Sequence, residues 1–256
     1  MAGHRDQEEI RNFKIIIQYE GTRYQGWQRQ DSTDNTIQGK LEAILGKMTG
    51  LDFVQVDGAG RTDAGVHAFG QVANFKIRTT WSKEEVMRYI NQYLPHDIGV
   101  IAISEEALRF HSRLNGKSKV YQYRIWNSEL PCVFERRYVY EFPDKLDIEQ
   151  MRKAASYLMG RHDFKAFTST KKGKKPTVRT IEKITIEEVG REVIITYHGD
   201  GFLYHMVRIL TGTLIEIGIG KRKAESIKDL LECGIRAQAG MLVPAKGLSL
   251  IAVLYE

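Results

Sequence analysis

The sequence predicts an α+β fold with two ferredoxin-like βαββαβ halves that form a continuous, mostly antiparallel eight-stranded sheet with helices on one face. A chain of 256 residues with 42% hydrophobic residues can bury a sizeable core. Strand and helix periodicities recur in the same order twice along it. Joining two four-stranded sheets edge to edge would also cover edges that otherwise invite aggregation. The predicted parts are a polar tail over 1–12, an N-terminal domain over 13–110 and a C-terminal domain over 111–256.

In the first half, each element follows from a local pattern of apolar, capping and turn residues. Alternating apolar positions predict a strand over 13–19. Asn35 and Gln38 predict a capping box for the first helix, and Gly50 is a plausible stop. The later predicted elements are strands at 53–56 and 71–77, a helix that Ser82 and Glu85 cap before Pro95, and a strand at 98–103.

The second half repeats the same order of elements. A strand at 120–126 precedes a helix that opens at Asp147 with Gln150 three residues later. Two further strands follow at 181–186 and 193–197. The last predicted elements are a helix over 204–217, a short helix over 224–232 and a strand over 248–255.

Charge and cysteine content restrict the class of protein. Lys and Arg number 38 against 32 Asp and Glu, which gives a net charge of +6 and favours an anionic partner. No run of roughly 18 apolar residues and no apolar leader occur, so we expect no membrane span and a cytoplasmic location. Cys132 and Cys233 lie far apart without a CxxC motif, which predicts two reduced thiols and neither a disulfide nor a zinc site. No metal is expected.

A glycine-rich connection over 57–70 separates the second and third predicted strands. On composition alone it is typical of a solvated hairpin connection. A dinucleotide loop fits poorly, because Asp63 stands where GxGxxG requires glycine and a carboxylate would repel a pyrophosphate. A Walker loop does not fit this connection either, because the connection contains no GK[ST]. Asp63 beside Arg61 instead suggests a charge-compensated carboxylate that can act as nucleophile or base.

The string GRTDAGVHA over 60–68 resembles the active-site motif of the tRNA pseudouridine synthase A family. Further segments are similar to that family in the same order, so that the resemblance runs from about Phe13 to the end of the chain. These segments are YEG at 19–21, GWQ at 26–28, TIQGKLE at 36–42, KVYQYR at 119–124, HDF at 162–164, HMVR at 205–208 and KGL at 246–248.

The resemblance implies isomerisation of uridine to pseudouridine at positions 38, 39 and 40 in the anticodon arm of tRNA, without a cofactor. Asp63 would be the nucleophile, and it would either attack the ribose C1′ or remove a ribose proton to give a glycal. The target base must leave its stack, which costs a few kcal/mol. The resemblance assigns Arg61 to the space that the base vacates.

Three more substrate-binding residues follow from the resemblance. Tyr121 would stack on the flipped uracil, and Leu248 would pack beneath it, although both are ordinary core residues by pattern alone. Arg208 lies at the start of a helix that is otherwise apolar on its inward face, where an unpaired cation would be costly. Its pairing with Asp63 would remove that cost and keep the carboxylate ionised.

Basic residues are candidates for phosphate contact with tRNA. A lysine run is more often a solvated loop, but on a chain that resembles a tRNA enzyme the phosphate interpretation is better. The candidates are Lys171, Lys172, Lys174 and Lys175 in that run, Arg23 and Arg29 near the N-terminus, and His111 with Arg113 between the halves. A homodimer is expected from the resemblance alone.

Two other classes of function remain open at this point. In a glycoside or nucleoside hydrolase, Asp57 and Asp63 would form a carboxylate pair, and the reaction would release free uracil or sugar. A tRNA-binding protein or chaperone without catalytic activity would account for the positive charge and the antiparallel sheets. It would leave the combination of Asp63, Tyr121 and Arg208 unexplained.

Overall fold

The computed structural model describes residues 9–170 and 176–256, which contain ten strands and five α-helices. These residues group into two compact units. One unit runs to Lys117 and adds Leu250–Glu256, and the other comprises Ser118–Ser249. The mixed α+β class is therefore confirmed, whereas the predicted domain bounds stay a prediction. Within the described residues, no helix combines the length and apolar character needed to cross a membrane.

The first unit has the predicted order of elements. They are β1 (Ile10–Tyr19), α1 (Ile37–Thr49), β2 (Val56–Gly58), β3 (His67–Arg78), α2 (Lys83–Tyr93) and β4 (Ile98–Glu106). Strand β1 lies between β3 and β4 and is antiparallel to both, and β2 is antiparallel to β3. Phe13, Ile15 and Ile17 are fully buried on one face of β1, as the alternating pattern predicts.

Helix α1 begins with a different cap from the predicted one. Thr36 is the N-cap residue, and its hydroxyl accepts a hydrogen bond from the backbone N–H of Gly39 at 3.2 Å. The capping box of Asn35 and Gln38 is therefore wrong. Gln38 is buried and donates to the carbonyl oxygen of Val56 at 3.0 Å, so its amide holds β2 rather than the start of the helix.

Two other predicted helix starts are confirmed. Ser82 and Glu85 form the capping box of α2, in which Glu85 N donates to Ser82 Oγ at 3.2 Å and Ser82 N donates to Glu85 Oε2 at 2.8 Å. The backbone hydrogen bond from Ser82 holds the pKa of Glu85 below its ordinary value. In the second unit, the carboxylate of Asp147 accepts from Gln150 N at 3.0 Å.

The second unit contains two short strands that the sequence did not predict. Its elements are β5 (Ser118–Trp126), β6 (Tyr140–Glu141), α3 (Ile148–Leu158), β7 (Gly160–Asp163), β8 (Val178–Val189), β9 (Glu192–Gly199), α4 (Met206–Gly218), α5 (Ser226–Cys233) and the start of β10 (Leu248–Leu254). Strand β9 is antiparallel to β5 and β8, β7 is antiparallel to β8, and β6 is parallel to β5. Strands β6 and β7 are too short to show an alternating pattern.

Strand boundaries near the glycine-rich connection differ from the predicted ones. Strand β2 begins at Val56 instead of ending there, and Phe53 before it is exposed. Strand β3 begins at His67, four residues earlier than predicted, so the last part of the GRTDAGVHA motif is strand. The irregular part of the connection is consequently confined to 59–66, between two paired strands.

Candidate active site

The turn that carries Asp63 is bonded along its backbone to the segment that follows β1. Trp27 N donates to the carbonyl oxygen of Thr62 at 3.1 Å, and Gly65 N donates to that of Tyr24 at 3.3 Å. One of these bonds involves the residue before Asp63, and the other involves the residue two positions after it. Backbone hydrogen bonds satisfy polar groups that burial would otherwise penalise, and these two bonds help to fix the turn.

Two glycines allow this close approach of the two segments. Gly26 has a φ of +90°, and a Cβ there would lie 2.6 Å from the carbonyl oxygen of Thr62. A Cβ at Gly21 would lie 2.0 Å from the carbonyl oxygen of Val66. No side chain fits at either position, which gives the YEG and GWQ strings a physical reason. Glycine spacing alone could not have revealed which segment they face.

A side-chain hydrogen bond also holds this turn. The hydroxyl of Tyr19 lies 2.8 Å from Thr62 Oγ1, and both residues are buried. Burial raises the pKa of Tyr19, so that its hydroxyl stays neutral. Asp63 itself is half-buried and Arg61 is exposed. Asp63 is therefore partly exposed and follows directly on a buried, hydrogen-bonded residue, Thr62.

His67, at the end of the motif, has a structural role. Its Nδ1 accepts a hydrogen bond from Gly21 N at 3.0 Å, and the residue is 2% exposed. An accepting Nδ1 carries no proton, so the 3.7 Å approach of Glu20 Oε1 to that atom is not an ion pair. His67 thus fixes the segment after β1 against the start of β3.

In the second unit, Tyr121 lies in the core of the sheet. It occupies β5 opposite Tyr197 of β9 and is 7% exposed. Its ring meets that of Phe202 edge-on, with centroids 5.3 Å apart and an interplanar angle of 82°. Most of the surface of Tyr121 is therefore buried, as expected for a core residue. Only a small part of the residue is accessible.

Arg208 and a residue that the sequence analysis did not assign hold the segment before Leu248. Arg208 Nε donates to the carbonyl oxygen of Val243 at 2.8 Å, and the hydroxyl of Tyr123 donates to that of Pro244 at 2.7 Å. Burial raises the pKa of Tyr123, and the positive charge of Arg208 opposes that rise. The structure thus brings Arg208 to the segment that ends in Leu248. Tyr123 lies two residues after Tyr121 and therefore on the same face of β5, and this spacing was the available signal.

The predicted phosphate contacts near the N-terminus are exposed but already face carboxylates. Arg23 Nη2 lies 2.6 Å from Asp97 Oδ2, and its side chain is 68% exposed. Arg29 Nε lies 3.5 Å from Glu42 Oε2, and its side chain is 53% exposed. Each guanidinium is exposed enough to contact a phosphate, but a carboxylate of the protein already compensates part of its charge.

Of the other predicted contacts, His111 and Arg113 lie next to each other. His111 Nδ1 accepts from Arg113 N at 3.1 Å, and His111 Nε2 lies 4.0 Å from Asp57 Oδ2. Arg113 is exposed. The lysine run, Lys171, Lys172, Lys174 and Lys175, lies outside the described residues. Elsewhere in the chain, among the residues the structure covers, no group of three or more His, Cys, Asp or Glu could hold a metal ion.

Sequence comparisons match this chain over nearly its whole length. A family model described as tRNA pseudouridine synthase matches residues 15–115 and 154–256. A tRNA pseudouridine synthase A from a Bacillus species is 46% identical over 246 residues, which are 96% of this chain and 100% of the relative. A tRNA pseudouridine synthase A from Acetivibrio thermocellus is 44% identical over the same shares of both chains. A tRNA pseudouridine synthase A 2 from Bacillus anthracis is 44% identical over 94% of this chain and 98% of its own.

These matches define the class of protein as an isomerase that acts on tRNA. The chain belongs to the tRNA pseudouridine synthase family. Among solved structures, an archaeal box H/ACA sRNP Nop10-Cbf5 complex matches at 11% identity and a TM-score of 0.36, over 80% of this chain and 44% of that chain. A TM-score at this level does not establish a common fold.

Proposed function

We propose that this protein converts uridine to pseudouridine at positions 38, 39 and 40 in the anticodon arm of tRNA, with Asp63 as the nucleophile. The observation that carries this proposal is the turn at 62–65, which accepts a backbone hydrogen bond from Trp27 and donates one to Tyr24, and in which Asp63 is half-buried. A partly exposed aspartate on a turn that is held by hydrogen bonds suits a nucleophile, because catalysis requires the reacting group to be positioned before the substrate arrives.

The reaction rearranges one nucleotide and neither adds nor removes atoms. The bond between N1 of uracil and C1′ of ribose breaks, the base turns, and a new bond forms between C5 and C1′. A proton leaves C5 and N1 gains one. The carboxylate of Asp63 either attacks C1′ and is displaced when C5 bonds to that carbon, or removes a ribose proton to give a glycal and returns a proton to the ribose as the bond between C5 and C1′ forms. No step requires a cofactor.

The other residues receive roles that suit their environments. We propose that Arg61, which is exposed, fills the space left by the flipped base. Tyr121 and Leu248, which are nearly buried, would contact the uracil through their remaining accessible surface. Arg208, whose Nε donates to the carbonyl oxygen of Val243, would take the substrate-binding role that the resemblance assigns to it.

The architecture proposed for this activity is two ferredoxin-like βαββαβ halves with the bounds 13–110 and 111–256. The element order β1-α1-β2-β3-α2-β4 supports it for the first half. In the second half, β5, α3, β8, β9, α4 and β10 keep the order, with β6, β7 and α5 as additions. We further propose a cytoplasmic homodimer that holds tRNA.

The test uses tRNA transcripts with tritium at C5 of uridine, because forming the new bond releases that atom into water. The wild type should release tritium and should liberate no free uracil. Release of free uracil would indicate a hydrolase. Asp63→Asn keeps the shape of the side chain and should bind tRNA normally while releasing almost no tritium. Asp57→Asn is the control, and it should keep most of the activity. Comparable activity in Asp63→Asn would contradict the proposal.

A further inference from the structure

The start of α4 contains a residue in an unfavourable backbone conformation. His205, which directly precedes the helix, has a φ of +64° and a ψ of 2°. Every other described residue with a positive φ is a glycine. A side chain makes the left-handed region costly, and such residues persist where the surrounding structure holds them for a purpose.

Four hydrogen bonds hold His205 and Tyr204 in this conformation. The carbonyl oxygen of Tyr204 accepts from Thr168 Oγ1 at 3.0 Å and from Ser169 N at 3.3 Å. The imidazole Nδ1 of His205 lies 2.9 Å from Ser169 Oγ, and its carbonyl oxygen accepts from Ile209 N at 3.0 Å. The strained turn is therefore fixed both to the helix that follows and to the 168–169 segment.

The conformation places the imidazole flat against a tyrosine ring. The centroids of Tyr204 and His205 are 3.7 Å apart and their planes differ by 28°, which is a stacked arrangement. Tyr204 is nevertheless 55% exposed. Stacking on the imidazole restricts the rotation of the Tyr204 side chain, and a ring that is restricted before a ligand binds loses less entropy when a further ring stacks on it.

We propose that Tyr204, supported by His205, is a stacking platform for an unpaired base of the RNA substrate, in addition to the base that reacts. This inference rests on the proposed function, because the positively charged chain and its family make RNA the ligand that fits an exposed ring. Unpaired RNA bases are commonly bound by stacking on aromatic side chains, which needs no particular base identity. Arg208, a proposed substrate-binding residue, follows His205 by three residues in the first turn of α4.

The first test compares the binding of a tRNA anticodon arm to three variants at Tyr204. Tyr204→Leu keeps apolar bulk but no ring, and it should weaken binding about 5- to 100-fold. Tyr204→Phe keeps the ring and should bind within about twofold of the wild type. Because stacking releases no counterions, the dependence of the affinity on salt should be unchanged in Tyr204→Leu. Tyr93→Leu is the control, since Tyr93 is 54% exposed and also contacts another ring, that of Tyr89.

Equal binding by Tyr204→Leu and the wild type would overturn the proposal, as would an equal loss in Tyr93→Leu. Equal loss in Tyr204→Leu and Tyr204→Phe would also overturn it, because the hydroxyl would then be the contact. His205→Gly gives an independent readout. Glycine removes the strain of the backbone conformation, which offsets the lost hydrogen bond to Ser169 Oγ, so the melting temperature should change little, while RNA binding should weaken because the stacked imidazole is lost. Unchanged binding by His205→Gly would contradict the role of the support.

Tritium release by the wild type separates this inference from the proposed function. If the wild type releases tritium and Tyr204→Leu binds normally, only the platform is wrong. If the wild type releases none, the proposed function fails whatever the binding results.

Discussion

The hydroxyl oxygen of Tyr19 lies 2.8 Å from Oγ1 of Thr62, the residue immediately before Asp63. Tyr19 is the last residue of β1, the strand between β3 and β4, so this bond ties the candidate nucleophile to the centre of the first unit. Both partners are buried, and neither can exchange the bond for one to water without opening the turn. The position of Asp63 thus depends on a residue that does not touch substrate in our proposal.

We predict that Tyr19→Phe lowers kcat for pseudouridine formation severalfold with little change in KM. The ring still fills the core, but Thr62 Oγ1 loses its partner and the turn gains freedom. The cost in free energy of unfolding should be about 1–2 kcal/mol. Tyr255→Phe is a suitable control because it removes another tyrosine hydroxyl, which donates to the carbonyl oxygen of Ser112 at 2.8 Å. A similar loss of kcat in both variants would show that the effect is only one of stability.

We predict that Gly26→Ala both destabilises the protein and lowers kcat. Its φ of +90° disfavours any side chain, and the new Cβ would press on the carbonyl oxygen of Thr62. Gly190→Ala separates these two effects, since Gly190 has a φ of +63° but no heavy atom near the position of a Cβ. Gly190→Ala should cost about 1 kcal/mol of unfolding free energy and leave kcat unchanged. Chemical unfolding measures the free energy of unfolding, and tritium release measures kcat. If both variants lost the same stability and kept the same kcat, the proposed clash with Thr62 would be contradicted.

The sequence predicted those features that depend on neighbours along the chain. The alternating residues of β1 and the capping box at Ser82 and Glu85 need only local periodicity and local hydrogen bonds, and both are observed. The cap at Asn35 failed because Gln38 bonds to Val56, 18 residues away, and no local pattern records that partner. Tertiary contacts of this kind help to decide which residue caps a helix.

The same distinction applies to the candidate site. The GRTDAGVHA string indicated Asp63, but the support of its turn by Tyr19, Tyr24 and Trp27 is a property of the fold. The strained conformation of His205 was equally hidden, and the periodicity extended α4 two residues too early because apolar spacing carries no information on φ. Residue type predicted the chemistry here, whereas the three-dimensional support required the structure.

We predict that Asp97 stabilises the protein at neutral pH and not in acid. Burial alone would raise the pKa of Asp97, but hydrogen bonds from Tyr24 and Arg23 outweigh it and the pKa lies below the ordinary 3.8. A depressed pKa means that the stabilisation is present above 3.8 and is lost as the pH falls through the folded-state pKa. The difference in unfolding free energy between the wild type and Asp97→Asn should therefore be largest near pH 7 and should shrink below about pH 4. A difference that is independent of pH would contradict this linkage.

We predict that the lysine run contributes more to phosphate binding, per charge, than the two arginines near the N-terminus. Arg23 and Arg29 each lie within 4 Å of a carboxylate, so a bound phosphate must compete with Asp97 or Glu42 for them. Replacement of Lys171, Lys172, Lys174 and Lys175 by Ala should therefore reduce the salt dependence of tRNA binding more per charge than the Arg23→Ala, Arg29→Ala double variant. Each lysine that contacts a phosphate contributes up to about one unit of slope.

The quadruple lysine variant should also weaken binding of all substrate tRNAs to a similar extent, because phosphates carry no sequence information. Its single-turnover rate at saturating tRNA should match that of the wild type, since the proposed chemistry depends on Asp63. Titrations over a salt series, followed by tritium release, measure both properties. If affinity and slope are unchanged, the lysine run is a solvated loop, and Arg113 with the two N-terminal arginines becomes the path to test. A loss of rate without a loss of affinity would instead assign the run to catalysis and contradict this division of roles.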